Sequence, residues 1–149
     1  MYDLRELYQE MVMDHGRKPR NTGKLEDADQ SAEGFNPLCG DQINVYLKIG
    51  DHQIEDVKIE AAGCAISKAS ASMMTEAIKG KSTAEAEKVF EAFRFMLTHP
   101  EGGYDADLLG DLEVLSGVVQ YPARIKCALL SWHTLESALK KDGAKVSTE

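Results

Sequence analysis

The sequence lacks long apolar runs, is poor in cysteine and has fewer basic than acidic residues, and each shortage excludes a class of protein. No apolar stretch approaches the roughly 18 residues that a membrane-spanning helix needs, so we expect no membrane segment. Seventeen Lys and Arg stand against 25 Asp and Glu, and the net charge of −8 argues against non-specific nucleic-acid binding. The three cysteines are an odd number, so we do not expect a disulfide framework.

The amino-terminal stretch MYDLRELYQE is acidic and amphipathic, unlike a signal peptide or an Arg-rich transit sequence. We therefore expect a cytoplasmic protein, in which thiols serve more often as metal ligands, nucleophiles or small buried groups than as disulfides. A length of 149 residues and 43% hydrophobic residues predict one globular domain over residues 1–149. The basic segment GRKPR, residues 16–20, is most simply a solvated turn after a helix.

The first half of the chain predicts a helix and a β-hairpin. Asp3 and Glu6 have capping-box spacing ahead of apolar residues at helical intervals, which predicts a helix ending near Gly16. Residues 17–38 are rich in Pro, Asn, Gly and Asp and predict irregular chain. Apolar and polar residues then alternate on both sides of a turn at residues 50–53, which predicts two antiparallel strands.

The second half predicts helices. A helix after the AAGCAIS stretch closes at Gly80, and the capping box STAE, residues 82–85, opens another that stops at Pro100. A short apolar helix is expected over residues 108–119, and Pro122 suits the first turn of a final helix. This order predicts an α+β fold in which a small antiparallel sheet packs against several helices.

The three cysteines fall at predicted junctions. Cys39 lies in the loop before the first strand of the hairpin, Cys64 where the sheet gives way to a helix, and Cys127 early in the last helix. Helix amino termini favour thiolate over thiol, and thiolate is the form that binds metal or attacks sulfur. Each cysteine taken singly is equally well explained as a small buried residue.

Cys39 and Asp41 are two residues apart, so in extended chain their side chains point the same way and reach one ion. Gly40 between them lacks a β-carbon that would crowd the approach. With Cys64 and Cys127 they supply four ligands, the number a tetrahedral zinc site takes. The separations are too long for a zinc finger, so spacing alone leaves open unrelated buried thiols, and Asp41 as a turn cap.

Three longer stretches, NPLCGDQI, AAGCAISKASASMMTEAIKGKS and YPARIKCALLSWHTLESAL, resemble the cysteine motifs of the U-type iron–sulfur cluster assembly family, which includes the IscU and NifU amino-terminal-like proteins. LYQEMVMDHGRKPRNTGKL resembles that family's first segment. Lys126, rather than histidine, precedes Cys127, and HPEGGYDADLLGDL lengthens the stretch before it, as in the SufU-type branch. Leu38 departs from the commoner threonine beside the first cysteine.

The resemblance implies a zinc-dependent sulfur-transfer protein that accepts persulfide sulfur from a SufS-type cysteine desulfurase and works with downstream iron–sulfur assembly proteins. It implies that Cys39 is the sulfur acceptor. Arg124 and Lys126 flank Cys127 as residues that support the site or dock the partner, or as solvated charges on a helix. The zinc ligands that the resemblance implies are Cys39, Asp41, Cys64 and Cys127.

Two other functions fit the same residues. The first is a scaffold that assembles a [2Fe–2S] cluster, or binds iron, on the same three cysteines. The second is a binding module in which zinc is purely structural, since a closed four-ligand site is typical of structural zinc.

Overall fold

The structure, a computed structural model, describes residues 4–140 and 146–147, so the expected cap Asp3 lies outside the described residues. The described chain contains five α-helices, one 3₁₀ helix and four strands. In chain order these are α1 Leu4–Arg17, β1 Gln30–Asn36, β2 Asp41–Gly50, β3 Gln53–Ala62, α2 Ala65–Ile78, α3 Thr83–Thr98, α4 Ala106–Leu109, the 3₁₀ helix Gly110–Gln120, α5 Pro122–Lys140 and β4 Val146–Ser147.

The sheet has the strand order β3-β2-β1-β4, and the predicted hairpin of β2 and β3 forms one side of it. β2 and β3 pair antiparallel through a tight turn in which Asp51 and His52 both have positive φ, the conformation that suits a two-residue hairpin loop. The alternate residues Ile43, Val45 and Leu47 are buried, so the predicted alternation marks the core-facing side. The hairpin is confirmed.

β1 contradicts the expectation of irregular chain between residues 17 and 38, which is wrong for Gln30–Asn36. This strand pairs antiparallel with β2 along its whole length, from Gln30 opposite Leu47 to Asn36 opposite Asp41. Its inward-facing residues are Ala32, Gly34 and Asn36, none of them a large apolar residue. The strand therefore shows no apolar alternation, because its inner face is filled by residues of α5 rather than by its own side chains.

The helices begin and end close to where the sequence predicts. Ser82 and Glu85 form both hydrogen bonds of a capping box at the start of α3, and α3 ends two residues before Pro100. Pro122 opens α5 as expected. The apolar segment 108–119 differs from the prediction, because Gly110, with φ of +54°, ends α4 and the following residues continue as a 3₁₀ helix.

Helices α2 and α5 cover one face of the sheet and enclose the core. Trp132 of α5 is fully buried, stacks on Phe93 of α3 with ring centroids 4.8 Å apart, and donates its indole N–H to Ser70 of α2. Within residues 4–140, no helix covers the opposite face of the sheet. The α+β class is confirmed. Among the described residues, no helix is long and apolar enough to cross a membrane.

Candidate metal centre

Cys39 lies on the four-residue turn Pro37–Gly40, which joins β1 to β2 at one end of the sheet. Its side chain is partly exposed. Packing of the protein's own atoms does not require glycine at residue 40, because a β-carbon there would meet nothing within 4 Å. Gly40 instead has φ of +69°, so the turn between Cys39 and Asp41 is left-handed rather than extended, and glycine adopts this conformation without strain.

Asp41, the first residue of β2, is fully buried. Its Oδ1 accepts a hydrogen bond from the backbone N–H of Cys64 at 2.8 Å, and its Oδ2 accepts one from Asn36 Nδ2 at 3.2 Å. Gly63, with φ of +129°, passes so close that a β-carbon would collide with Asp41. No lysine, arginine or histidine of the described chain forms an ion pair with this carboxylate. A buried carboxylate without a cation is costly, so the environment of Asp41 suits a metal ion.

Cys127 is also fully buried, on the core-facing side of α5. Its Sγ lies 3.1 Å from Cys39 Sγ and accepts a hydrogen bond from Asn36 Nδ2 at 3.3 Å. Burial raises the pKa of the Cys127 thiol, and its hydrogen bonds with Cys39 and Asp41 raise the pKa further. A bound cation is the agent that would hold this thiol as a thiolate.

The ligand atoms of Cys39, Asp41 and Cys127 all lie within 4.8 Å of one another, an arrangement that can hold a metal ion. Cys64, the N-cap residue of α2, borders this set rather than joining it. Its Sγ lies 3.9 Å from Asp41 Oδ2 and accepts the backbone N–H of Ser67 at 3.4 Å. Three of the four expected ligands are therefore together, and the fourth is adjacent to them through Asp41.

Arg124 and Lys126 take different positions beside this centre. Arg124, in the first turn of α5, donates from Nη1 to Cys39 Sγ at 3.1 Å, so its guanidinium touches the most exposed of the clustered thiols. Lys126 is exposed, and no described residue of the centre contacts its ammonium group. Arg124 can stabilise negative charge on Cys39, whereas the position of Lys126 fits only a role at the surface.

Sequence reasoning missed two residues, Asn36 within the centre and Tyr8 near it. Asn36 donates to both Asp41 and Cys127 and so fixes two candidate ligands at once, and the only signal for it is its place in NPLCGDQI. Tyr8 of α1 packs against Gly117, and its pKa is raised by burial, by Tyr121 and by Cys64. In the sequence Tyr8 is indistinguishable from the other apolar residues of its helix.

Comparison with known proteins supports a metal centre of this kind independently of the geometry. The family described as "NifU-like N terminal domain" matches residues 7–128. The "Zinc-dependent sulfurtransferase SufU" of Bacillus subtilis is 46% identical over 141 residues, which is 94% of each chain. The "Iron-sulfur cluster assembly scaffold protein IscU" of Streptococcus pyogenes is 40% identical over 93% of this chain and 86% of its own.

Solved structures agree in fold. A crystal structure from Fervidobacterium islandicum, described as a candidate iron–sulfur cluster assembly scaffold protein for the SUF system, superposes with a TM-score of 0.84 at 38% identity, covering 91% of this chain and 98% of that one. The amino-terminal part of a NifU-like protein from Brucella abortus gives 0.82 at 25% identity, covering 93% and 95%. By sequence and by structure, the chain belongs to the family of NifU-like amino-terminal domains.

Proposed function

We propose that this protein is a zinc-dependent sulfur acceptor in iron–sulfur cluster biogenesis, which takes persulfide sulfur from a SufS-type cysteine desulfurase in the cytoplasm and passes it to downstream assembly proteins. The observation that carries the proposal is a difference in burial among the residues of the centre. Asp41 and Cys127 are fully buried, whereas Cys39 reaches the surface on a turn. The centre thus has an inner part suited to holding a metal and an outer thiol suited to meeting a partner.

The residues that would hold the metal are Cys39, Asp41, Cys64 and Cys127. Bound zinc keeps thiols deprotonated at neutral pH and shields them from side reactions. Asn36 positions Asp41 and Cys127, and the N–H of Cys64 anchors the other oxygen of Asp41. The inner ligands are therefore fixed by β2 and α5, so Cys39 can move without unfolding a helix or strand.

The reaction at Cys39 is thiol–persulfide exchange. The Cys39 thiolate attacks the outer sulfur of the partner's persulfide, a new S–S bond forms on Cys39, and the partner's S–S bond breaks. The partner's cysteine leaves as a thiolate, so no oxidant or reductant is consumed. Arg124, 3.1 Å from Cys39 Sγ, is placed to stabilise the attacking thiolate.

Replacing Cys39 with serine tests the acceptor role. We expect Cys39→Ser to lose at least about 90% of the stimulation of desulfurase turnover, because a hydroxyl cannot carry sulfane sulfur. The measurement is alanine release from cysteine at increasing concentrations of this protein. Ser31→Ala, an exposed change on β1, is the control and should stimulate normally. Full stimulation by Cys39→Ser would show that another group accepts the sulfur.

The scaffold function is the second candidate, because two thiols and a carboxylate also ligate iron and because the Streptococcus pyogenes relative is named a scaffold. Aerobic purification followed by elemental analysis and a visible spectrum separates the two. One zinc per chain with a colourless protein supports sulfur transfer, whereas iron with visible absorption supports the scaffold. One zinc per chain without desulfurase stimulation would instead support a structural metal.

A further inference from the structure

Basic side chains are concentrated around the candidate metal centre. Four segments meet there, residues 14–20, 37–41, 63–68 and 121–127, and together they contain six Lys or Arg and only two Asp. This local excess of positive charge occurs in a chain whose net charge is −8. We call the cations of these segments the basic rim: Arg17, Lys18, Arg20, Lys68, Arg124 and Lys126.

Contacts between the segments bring part of the rim near the thiols. A β-carbon on Gly16 would lie 3.5 Å from Cβ of Ala65, the residue after Cys64, so the end of α1 rests on the start of α2. Cys64 in turn donates its N–H to Asp41 at 2.8 Å. Arg124 reaches Cys39 from the start of α5. Gly16, at the start of the GRKPR segment, therefore lies beside the residue that follows Cys64. Arg20, at the segment's end, donates its backbone N–H to Ser72 at 2.8 Å, about two turns further along α2.

The acidic residues of these segments do not cancel the charge. Asp14 pairs with Arg20 at 2.6 Å, which removes one cation and one acid together. Asp41 is buried under the surface. The other five cations of the rim have no carboxylate within ion-pair distance in the part of the chain that the structure describes. Within these four segments, the charge left at the surface is consequently positive, and Arg124 brings part of it into contact with Cys39.

Two large apolar side chains lie inside this rim. Leu38, next to Cys39, is 69% exposed, and Tyr121, whose carbonyl accepts the N–H of Arg124, is 52% exposed. They are the two most exposed large hydrophobic residues of the described chain. Apolar side chains surrounded by charged ones are the usual arrangement of a protein–protein interface, with the apolar part at its centre.

We propose that Leu38 and Tyr121 form the apolar centre, and the basic rim the border, of a docking surface for an acidic face of the sulfur-donor protein. The inference rests on the proposed function, because it concerns the partner that delivers sulfur to Cys39. A complementary acidic border around the donor's persulfide would draw this protein in despite its overall negative charge, and would orient Cys39 toward the persulfide.

Charge reversal on the rim tests this surface without touching a candidate ligand. In Arg17→Glu/Lys18→Glu, two exposed cations become anions. We expect the concentration that half-saturates desulfurase stimulation to rise about tenfold at low salt, with maximal stimulation unchanged. Because exposed charges are screened, the difference should fall below about twofold in roughly 0.5 M NaCl. Sulfur transfer to Cys39 from a small-molecule persulfide that carries no other charged group should be equal in variant and native protein.

The control is Lys48→Glu/Lys81→Glu, which changes the net charge equally at the far end of the molecule. Lys48 is seven residues along β2 from Asp41, about 23 Å at strand spacing, and Lys81 follows the distal end of α2. This control should half-saturate within about twofold of the native protein. If the native protein stimulates the desulfurase and both double variants half-saturate at the same concentration, the docking surface is wrong and the proposed function stands. No stimulation by the native protein overturns the proposed function and the docking surface with it.

Discussion

At the residue scale, Asp41 is the side chain on which the centre depends. Its carboxylate contacts the N–H of Cys64 and the amide of Asn36, and that same amide donates to Cys127. One buried acid thereby connects β1, β2, the start of α2 and α5. A change at Asp41 therefore affects both the charge available to a metal and the position of the neighbouring ligands.

Asp41→Asn separates these two effects because it keeps the size and an acceptor oxygen while removing the negative charge. We expect zinc retention to fall at least tenfold, measured by competition with a chromophoric chelator, because a neutral amide is a much weaker zinc ligand than a carboxylate. The thiols should stay reactive toward a thiol reagent. Asp41→Ala should lose zinc to at least the same degree. Undiminished zinc in Asp41→Asn would remove Asp41 from the ligands.

At the element scale, β1 shows what sequence patterns could not predict. The hairpin of β2 and β3 and the capping box of α3 were predictable, because their signals are local. β1 was not predictable, because its inward residues Ala32, Gly34 and Asn36 are small or polar. These residues pack against α5, which lies about 90 residues later in the chain. Tertiary packing, not local preference, makes this segment a strand.

The same limit applies to the site. The motifs and the resemblance identified Cys39, Asp41 and Cys127, which the fold brings together. They did not identify Asn36 as the shared donor, since an asparagine in a Pro- and Gly-containing stretch is typical of turns. They also misjudged Gly40, because the sign of a backbone φ angle cannot be read from a glycine alone.

Gly34 is the point of closest approach between β1 and α5. A β-carbon there would collide with Thr134 Oγ1 and would lie 3.0 Å from Ile43 and 3.1 Å from Leu130. We expect Gly34→Ala to lower the free energy of unfolding by about 1–3 kcal/mol, as over-packed cores do, measured by urea denaturation. Thr134→Ala in the same chain should restore part of the loss. Equal costs in the single and double variants would mean that Thr134 is not the obstacle.

At the scale of the whole molecule, stability should depend on pH through the packing of α1 on α2. His15 of α1 is buried and hydrogen-bonded through Nδ1 to Ser72 of α2 at 2.7 Å. Burial and the nearby Arg20 lower the pKa of His15, and Glu76, Asp14 and Asp111 only partly oppose this shift. Below the ordinary histidine pKa of 6.5, the unfolded chain therefore binds more protons than the folded one, so acid favours unfolding.

We expect the Tm of the native protein to fall as the pH is lowered from about 7.5 to 5.5, and to fall less in His15→Gln, which cannot take up a proton. The comparison control is His52→Asn, on the exposed β2–β3 turn, where asparagine tolerates the positive φ. Its Tm should follow the native curve. If His15→Gln loses as much Tm as the native protein over this range, the pH dependence arises elsewhere.

The 3.1 Å between Cys39 Sγ and Cys127 Sγ also affects how readily the protein is oxidised by air. Two thiols this close need only lose two protons and two electrons to an oxidant to become joined, and the joined pair can neither bind metal nor accept sulfur. A metal ion bound at the centre would engage the sulfur lone pairs with which an oxidant reacts. A bound metal ion would therefore protect the two thiols, and we expect metal-free protein to oxidise in air to an inactive form unless a reductant is present.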